Sequence, residues 1–300
     1  MTTIAITGGT GFVGKRLIDL ALQQGYTVRA LARRPQAPRD GVTWIIGALD
    51  TADALPRLLD GAHAAIHVAG IVNAPTRAAF AAGNVDGTRA MVAAALAGGP
   101  ARFIHVSSLS AREPGLSNYG WSKRGGEDAV AASALDWTIV RPPAVYGPGD
   151  MEMRDVFRLA RMGLALMPPP GRLSLIHVDD LARLLLTLVE SDPGRVILEP
   201  DDGRSWTHEE FARAVGVAVG QRVLTLPLPK GLLSLAASAD KAFRGDKAKL
   251  TQDRVNYLAH PDWAADPARR PAADLWQAAI ATPAGLAATA AWYRANGLLR

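Results

Sequence analysis

Apolar residues follow two alternating periods along the first half of the chain. Runs at 3–7, 27–32, 43–46, 64–68, 102–106 and 137–141 are nearly continuous where it matters, as at Phe103, Ile104 and Val106, the pattern of strands covered on both faces. Between them lie segments of helical length, and in the first of these Phe12, Val13, Leu17, Ile18, Leu20 and Ala21 recur at helical spacing. This alternation predicts an α/β fold in which right-handed crossovers wind helices onto both faces of a parallel sheet. After Tyr146-Gly147-Pro148-Gly149 the alternation loosens, and Pro168-Pro169-Pro170-Gly171 marks an irregular connection. Beyond 150, short strands are expected at 173–178, 196–198 and 224–226, with helices at 180–190, 209–219 and 283–296. Thr207 and Glu210 have capping-box spacing for the middle helix. The Ala-rich stretches at 90–97 and 287–295 read as well-formed helices.

The first strand runs directly into Gly8-Gly9-Thr10-Gly11-Phe12-Val13-Gly14. Gly8, Gly11 and Gly14 permit a tight turn, close approach of backbone to a pyrophosphate, and close helix–strand packing. The following helix aims its unpaired N–H groups and positive dipole end at the anion. The expected fold class is therefore a Rossmann-type doubly wound parallel sheet with a smaller C-terminal α/β region. Residues 1–150 form the dinucleotide-binding domain, with 173–192 returning to it, and 151–300 form the substrate-binding region.

The end of the second strand narrows the choice of dinucleotide. An acid there accepts hydrogen bonds from the adenosine ribose of NAD, but this chain has Ala32 followed by Arg33 and Arg34. Small Ala32 leaves room for a 2′-phosphate, and Arg33 offers it a charge-assisted contact. NADP(H) is expected rather than NAD. Arg34 either joins that contact or points to solvent.

Tyr119 and Lys123 stand four residues apart, so on a helix they share a face. An ammonium beside a phenol stabilises phenolate, which makes Tyr119 a usable proton donor and acceptor. The strand at 102–106 ends in Ser107-Ser108, where a hydroxyl can meet the same carbonyl oxygen beyond the carboxyl edge of the sheet.

With these residues in view, the chain resembles an extended short-chain dehydrogenase/reductase of the NAD-dependent epimerase/dehydratase-like family. The matching motifs are Thr7-Gly8-x-x-Gly11-x-x-Gly14, His67-Val68-Ala69-Gly70, Asn84-Val85-x-Gly87-Thr88, Val106-Ser107-Ser108, Tyr119-x-x-x-Lys123, Arg141-Pro142-x-x-Val145-Tyr146-Gly147-Pro148-Gly149 and His177-Val178-x-Asp180-Leu181-Ala182. Gly25-Tyr26-Thr27-Val28-Arg29-Ala30 followed by Arg33 is similar to the dihydroflavonol-reductase and 3β-hydroxysteroid-dehydrogenase-like branch, which generally uses NADPH. The resemblance implies Tyr119 as general acid/base and Lys123 as its partner and a ligand of the nicotinamide ribose. It implies Ser108 as the group polarising the carbonyl, with Ser107 and Ser110 as alternatives, and Asn84 as architectural support. Leu49, Ala69, Gly70, Pro142 and Val145 would line the cofactor. Two positions depart from the family pattern. Ala48 stands where many relatives carry an acid for the adenine amine, leaving that role to backbone or to Asp50. Leu109 follows Ser108 where dehydratases carry an acid, which argues against sugar-nucleotide dehydration.

Composition changes the picture little. The chain has 300 residues, 49% hydrophobic and 20% charged, enough to bury a large core. The absence of cysteine excludes disulfides and thiolate chemistry. Met1-Thr2-Thr3 leads straight into the first strand and no apolar run approaches a membrane span, so a cytoplasmic protein without membrane contact is expected. The net charge of +5 is spread among acids, as at Asp240-Lys241 and Asp246-Lys247, rather than gathered into a nucleic-acid stripe. His63 and His67 bracket a strand and lie about 13 Å apart, too far for a metal pair, and no metal site is expected. Asp179-Asp180 reads as helix capping and His177 as a packed strand residue. The Met-rich segment 151–167 and Trp121 are either pocket wall for a hydrophobic substrate or core. Arg154, Arg158 and Arg161 either clamp a phosphate-bearing sugar or line an exposed helix.

The expected activity is reversible, NADP(H)-dependent reduction of a ketone or aldehyde, by a monomer or homodimer. A sugar-nucleotide epimerase and a non-catalytic cofactor-binding subunit or redox sensor are the alternatives. The latter would lack the Tyr/Lys pair that this chain keeps.

Overall fold

A computed structural model describes residues 2–245, 248 and 250–299, so Asp246 and Lys247 lie outside the described residues. The elements in chain order begin β1 (Thr3–Thr7), α1 (Phe12–Gln23), β2 (Thr27–Ala32), β3 (Val42–Ile46), α2 (Ala54–Leu59) and β4 (Ala64–His67). Next come α3 (Arg77–Phe80), a π-helical turn at Ala81–Asp86, α4 (Gly87–Gly98), β5 (Arg102–Val106), α5 (Asn118–Ala131) and β6 (Asp136–Val140). Then follow β7 (Ala144–Tyr146), α6 (Arg154–Arg161), β8 (Leu164–Met167), β9 (Arg172–His177), α7 (Val178–Glu190) and β10 (Val196–Leu198). The chain ends with β11 (Ser205–Thr207), α8 (His208–Val219), β12 (Leu224–Pro227), α9 (Lys230–Arg244), α10 (Gln252–Leu258), β13 (Asp262–Trp263) and α11 (Thr282–Ala295).

Two compact units emerge. The first comprises residues 1–142, 181–199 and 271–276. Its sheet has seven strands in the order β10-β6-β5-β4-β1-β2-β3, every pairing parallel. Winding outward from β1 to β3 and then back through β4 reverses the strand order between β1 and β4. In a doubly wound sheet such a reversal opens a crevice at the carboxyl edge. The strands are buried because both faces are covered: Ile4, Ile6, Ile66, Phe103 and Ile104 are fully inaccessible. One face packs Leu55, Leu58, Met91, Val130 and Trp137 into a continuous core.

The first unit ends at Pro142 rather than at residue 150, because β7 pairs with β9 and both belong to the second unit. Strand 172–177 therefore does not return to the first sheet as expected; the chain returns only from Leu181, within α7, and continues through β10. The second unit, residues 143–180, 200–270 and 277–300, holds β9 between β7, β11 and β13, and a separate parallel pair of β8 and β12. Its core gathers Tyr146, Phe157, Leu175, Trp206, Val215, Leu286 and Tyr293. The Thr207–Glu210 capping box is formed at the start of α8. The Met-rich stretch divides: Phe157 and Met167 are buried, whereas Met151 and Met162 are exposed.

Candidate active site

The glycine turn sits at the carboxyl edge of the first unit's sheet, at the strand-order reversal. Gly8 leaves β1 with φ of +72°, and its carbonyl accepts from Gly11 N at 2.9 Å. A Cβ on Gly8 would lie 2.8 Å from Ala69 N, and one on Gly14 only 2.1 Å from Gly8 O. No side chain fits at either point without moving backbone. Gly11 then caps α1, and Phe12, Val13 and Gly14 form its first turn, with no side chain occupying the helix's leading N–H groups. Thr7 Oγ1 ties the two strand ends together, accepting from Ala69 N at 3.1 Å and meeting His67 Nδ1 at 2.7 Å. An anionic dinucleotide fits this cradle: close backbone, helix N-terminus and no competing acid.

At the end of β2, Ala32 is buried and Arg33 and Arg34 are exposed, without ion pairs among the described residues. Together with Thr10 and Gln36 they line an open cleft of about 500 Å³. Leu49 lies in the loop after β3 and fills the space beside Gly87, where a Cβ would approach it to 2.6 Å. Ala48 N is held by Thr51 Oγ1 at 2.9 Å, and Asp50 is exposed to solvent.

Ser117 caps α5 by accepting from Gly120 N at 2.9 Å, which sets the rotation of the helix carrying Tyr119 and Lys123. Burial, the larger influence, raises the Tyr119 hydroxyl above its ordinary value, while hydrogen bonding to Ser108 and Ser110 works downward. Ser108 and Ser110 thus both lie close to the phenol. Lys123 Nζ donates to Val106 O at 2.8 Å, and burial lowers it to about 8 against the upward pull of Glu127. The amine is directed to the end of β5 and stands near Gly70, where a Cβ added to that glycine would be 3.5 Å from it. Gly70 is closely packed, since the same Cβ would lie 3.1 Å from Asn84 Oδ1, which would have to give way.

Asn84 sits in the π-helical turn, and the irregular winding turns its amide inward. It accepts from Ile71 N at 2.7 Å and donates to Ile71 O at 3.0 Å and to Ser122 Oγ at 2.9 Å. That clamps the loop after β4 to α5. Trp121 carries the Arg77 guanidinium over its ring at 3.9 Å, and Phe80 tilts against Tyr119 at 6.2 Å. Pro142 accepts from Leu109 N at 3.0 Å and so fixes the seryl turn. Val145 belongs to the second unit, on β7 opposite Ile176.

Beneath the seryl turn lies a charged network that the sequence did not reveal. Arg141 makes a fork onto Glu127, Nε to Oε1 at 2.8 Å and Nη2 to Oε2 at 2.7 Å, and reaches Glu199 at 3.3 Å. Ser107 Oγ donates to the same Glu127 carboxylate at 2.5 Å, and Arg112 meets Glu199 at 3.4 Å. Ser107 is thereby committed to structure, which leaves Ser108 as the half-exposed hydroxyl beside Tyr119. The available signal was the position of Glu127, one helical turn past Lys123.

His67 and His105 are buried and stacked at 5.3 Å. His67 bonds Thr7 and Thr88, whereas among the described residues neither ring nitrogen of His105 has a hydrogen-bond partner. Among the described residues no group of His, Cys, Asp or Glu is arranged to hold a metal. Burial first, and the Lys123 charge second, lower His67 to about 3 and push His105 well below the ordinary imidazole value. The unfolded rings take protons below about pH 6.5 and the folded ones do not, so stability is present above that pH and lost as pH falls toward 3. For His67 alone the loss at pH 5 is about 2 kcal/mol. We expect His105→Leu to flatten the decline of Tm between about pH 6.5 and 5; an unchanged slope in thermal melts would count against buried neutral imidazoles.

In the second unit His177 is packed edge-on to Tyr146 at 5.3 Å. Asp180 accepts from Ala279 N at 3.2 Å and Ile280 N at 3.0 Å, so it holds a loop. Arg154 and Arg158 both meet Asp155 on α6.

Comparison with known proteins agrees with this architecture. The model of the NAD dependent epimerase/dehydratase family matches residues 4–198. A ceramide reductase of Caulobacter vibrioides is 40% identical over 99% of this chain and 96% of its own length. A putative dihydroflavonol 4-reductase of Synechocystis is 29% identical over 77% of this chain and 75% of its own. Among solved structures, human epimerase family protein SDR39U1 with NADPH superposes with a TM-score of 0.76 at 21% identity, covering 97% of this chain and 99% of that one. The same Rossmann-type sheet is thus shared at 21% identity. The chain belongs to the NAD dependent epimerase/dehydratase family, and its reductase-named relatives mark it as an oxidoreductase of the extended short-chain dehydrogenase/reductase type.

Proposed function

We propose that the protein is an NADP(H)-dependent reductase of a hydrophobic ketone, with a long-chain lipid of the ceramide class as the substrate to try first. The observation that carries the reaction type is the grouping of Ser108, Ser110 and Tyr119 at the carboxyl edge of the sheet that bears the glycine cradle. The lipid reading is supported by the ceramide reductase, whose similarity runs through almost the whole of both chains. The cofactor reading is supported by Arg33 and Arg34, which line the open cleft, and by the small, buried Ala32 before them.

When bound, NADPH supplies a hydride. Within the protein, Ser108 donates a hydrogen bond to the carbonyl oxygen and so favours the charge that develops there. Tyr119 gives its proton to that oxygen, and burial above the ordinary phenol range keeps the proton on until a stronger base forms. Lys123 holds a positive charge at neutral pH, because its value of about 8 lies above the medium. Asn84 and Ser122 keep the loop after β4 and α5 in register, so these groups meet without reorganisation.

Oxidation of NADPH and NADH, followed by absorbance over a panel of ketones of increasing chain length, tests the proposal. Consumption of NADPH that rises with chain length is the expected result. Cofactor binding without consumption on any ketone would favour the epimerase alternative. Arg33→Ala is expected to weaken NADPH binding about thirtyfold, the loss of roughly 2 kcal/mol from a charge-assisted contact, and to leave NADH unchanged. Tighter NADH than NADPH binding in the parent protein would overturn the cofactor assignment.

A further inference from the structure

His67 ends β4 directly opposite Thr7, the last residue of β1, and both are fully inaccessible. Thr88, in the first turn of α4, meets the ring's other nitrogen and is equally enclosed. The hydrogen-bond count around this imidazole admits one arrangement of protons. Thr7 Oγ1 accepts from Ala69 N at 3.1 Å, and among the described residues the only acceptor for its own proton is His67 Nδ1 at 2.7 Å. Thr88 Oγ1 donates to Asn84 O at 2.7 Å, so toward His67 Nε2 at 3.1 Å it can only accept. The ring therefore accepts at Nδ1 and donates at Nε2, which is the neutral Nε2–H tautomer.

Every proton along this chain points the same way, from the Ala69 amide to the Asn84 carbonyl, and bonds aligned in that sense reinforce one another. Both ends act on one loop. Ala69 N is held by Thr7, while the Asn84 side chain takes Ile71 N at 2.7 Å and gives to Ile71 O at 3.0 Å. Gly70 lies between the two holds, close to Lys123 Nζ, and Ala69 N lies against Gly8 of the cradle. Asn84 also donates to Ser122 Oγ, which donates to Tyr119 O at 2.8 Å. The glycine turn, loop 69–71 and the first turn of α5 are thus one hydrogen-bonded body with an imidazole at its centre. A hydrocarbon ring in that place would cut the chain and leave the buried Thr7 hydroxyl without an acceptor.

We propose that His67 is a positioning residue whose Nε2–H tautomer carries a one-way relay from Thr7 to Thr88, fixing loop 69–71 between the glycine cradle and Lys123. It acts by holding the loop in place rather than on any reacting atom. A displacement of that loop shifts whatever the cradle holds relative to Tyr119, and small errors of placement are costly in a transfer step. The relay itself does not depend on the substrate, while its consequence for hydride transfer rests on the reductase reading.

Two measurements on the full chain test the relay, one without turnover and one with it. Long-range proton–nitrogen correlation spectra of histidine-labelled protein, with His67 assigned through its proximity to the Thr7 and Thr88 methyl groups, should show Nδ1 bare and Nε2 protonated between about pH 6 and 8. The opposite tautomer, or averaging of the two, overturns the proposal whatever the activity. Thr7→Val and Thr88→Val keep side-chain shape and each remove one end of the chain. On the best ketone each is expected to lower the single-turnover rate of NADPH oxidation about tenfold, with Thr7→Ser and Thr88→Ser close to the parent. Because both cut the same chain, the double variant should be less than about twofold slower than the slower single one. Rate losses that multiply in the double variant, or single variants that melt lower yet oxidise NADPH at the parent rate, overturn the relay. A parent that oxidises NADPH on no ketone removes the reductase reading alone, and the tautomer then decides the relay.

Discussion

Tyr119→Phe is expected to lower kcat by about 10³-fold while leaving the dissociation constant of NADPH nearly unchanged. The substitution removes one hydroxyl and keeps the ring against Phe80, 6.2 Å away, so the packing of α5 has little reason to change. What disappears is the proton that must reach the carbonyl oxygen. Ser108 and Ser110 remain, and with them the hydrogen bonding that orients the oxygen, but a seryl hydroxyl is far too weak an acid to replace phenol at that step. The residual rate should therefore report orientation alone. Cofactor fluorescence titration and steady-state oxidation on the best ketone separate the two quantities. Retained turnover would remove Tyr119 from the reaction, and a collapse of NADPH affinity would instead make it a binding residue. A companion change, Ser108→Ala, should cost less than Tyr119→Phe because water can enter the half-exposed position it vacates.

The contrast between what was legible in the chain and what was not has a physical basis. The cradle could be read because its determinants are local: an apolar strand, three glycines and a helical repeat lie close together in the chain. Tyr119, Lys123 and Ser108 were equally local, each at the end of a strand or on one helical face. Strands β7 and β8 escaped because such short runs carry no periodicity, and they exist only through pairing with β9 and β12, distant in sequence. The boundary at Pro142 escaped for the same reason, since it depends on which sheet β7 joins. On α9 the repeat itself misleads: residues 233 and 237 and residues 232, 235, 236, 239 and 243 fall on separate faces, and spacing alone does not say which face meets the core. The amine of Lys123 shows a further limit. Its spacing from Tyr119 is a helical fact, but its direction toward Val106 O is set by the end of β5.

The network of Glu127, Arg141 and Glu199 needed the folded chain most of all, because its members come from α5, the end of β6 and the end of β10. All three are almost wholly buried. Burial alone would lower the Arg141 guanidinium, and the two carboxylates more than reverse that. Removing the cation by Arg141→Met is expected to destabilise the protein by about 4 kcal/mol, because Glu127 is left desolvated with Ser107 and the more distant charge of Lys123 in place of the guanidinium fork, and Glu199 keeps only part of its compensation. For a chain of this size the melting temperature should fall by about 6 °C. The double change Glu127→Gln/Arg141→Met should recover a large part of that loss, since an uncharged amide tolerates the site far better than an unpaired carboxylate. Additive losses in the cycle would show that the two side chains do not act as a pair. Glu127→Gln alone carries a second readout that packing would not move. Glu127 pulls Lys123 upward against burial, so its neutralisation lets the amine fall below about 8, and the charged form is then lost at lower pH. If activity requires the ammonium, the alkaline limb of the kcat profile moves toward neutrality in Glu127→Gln. It stays in place in Ser107→Ala, which loosens the same carboxylate without removing its charge.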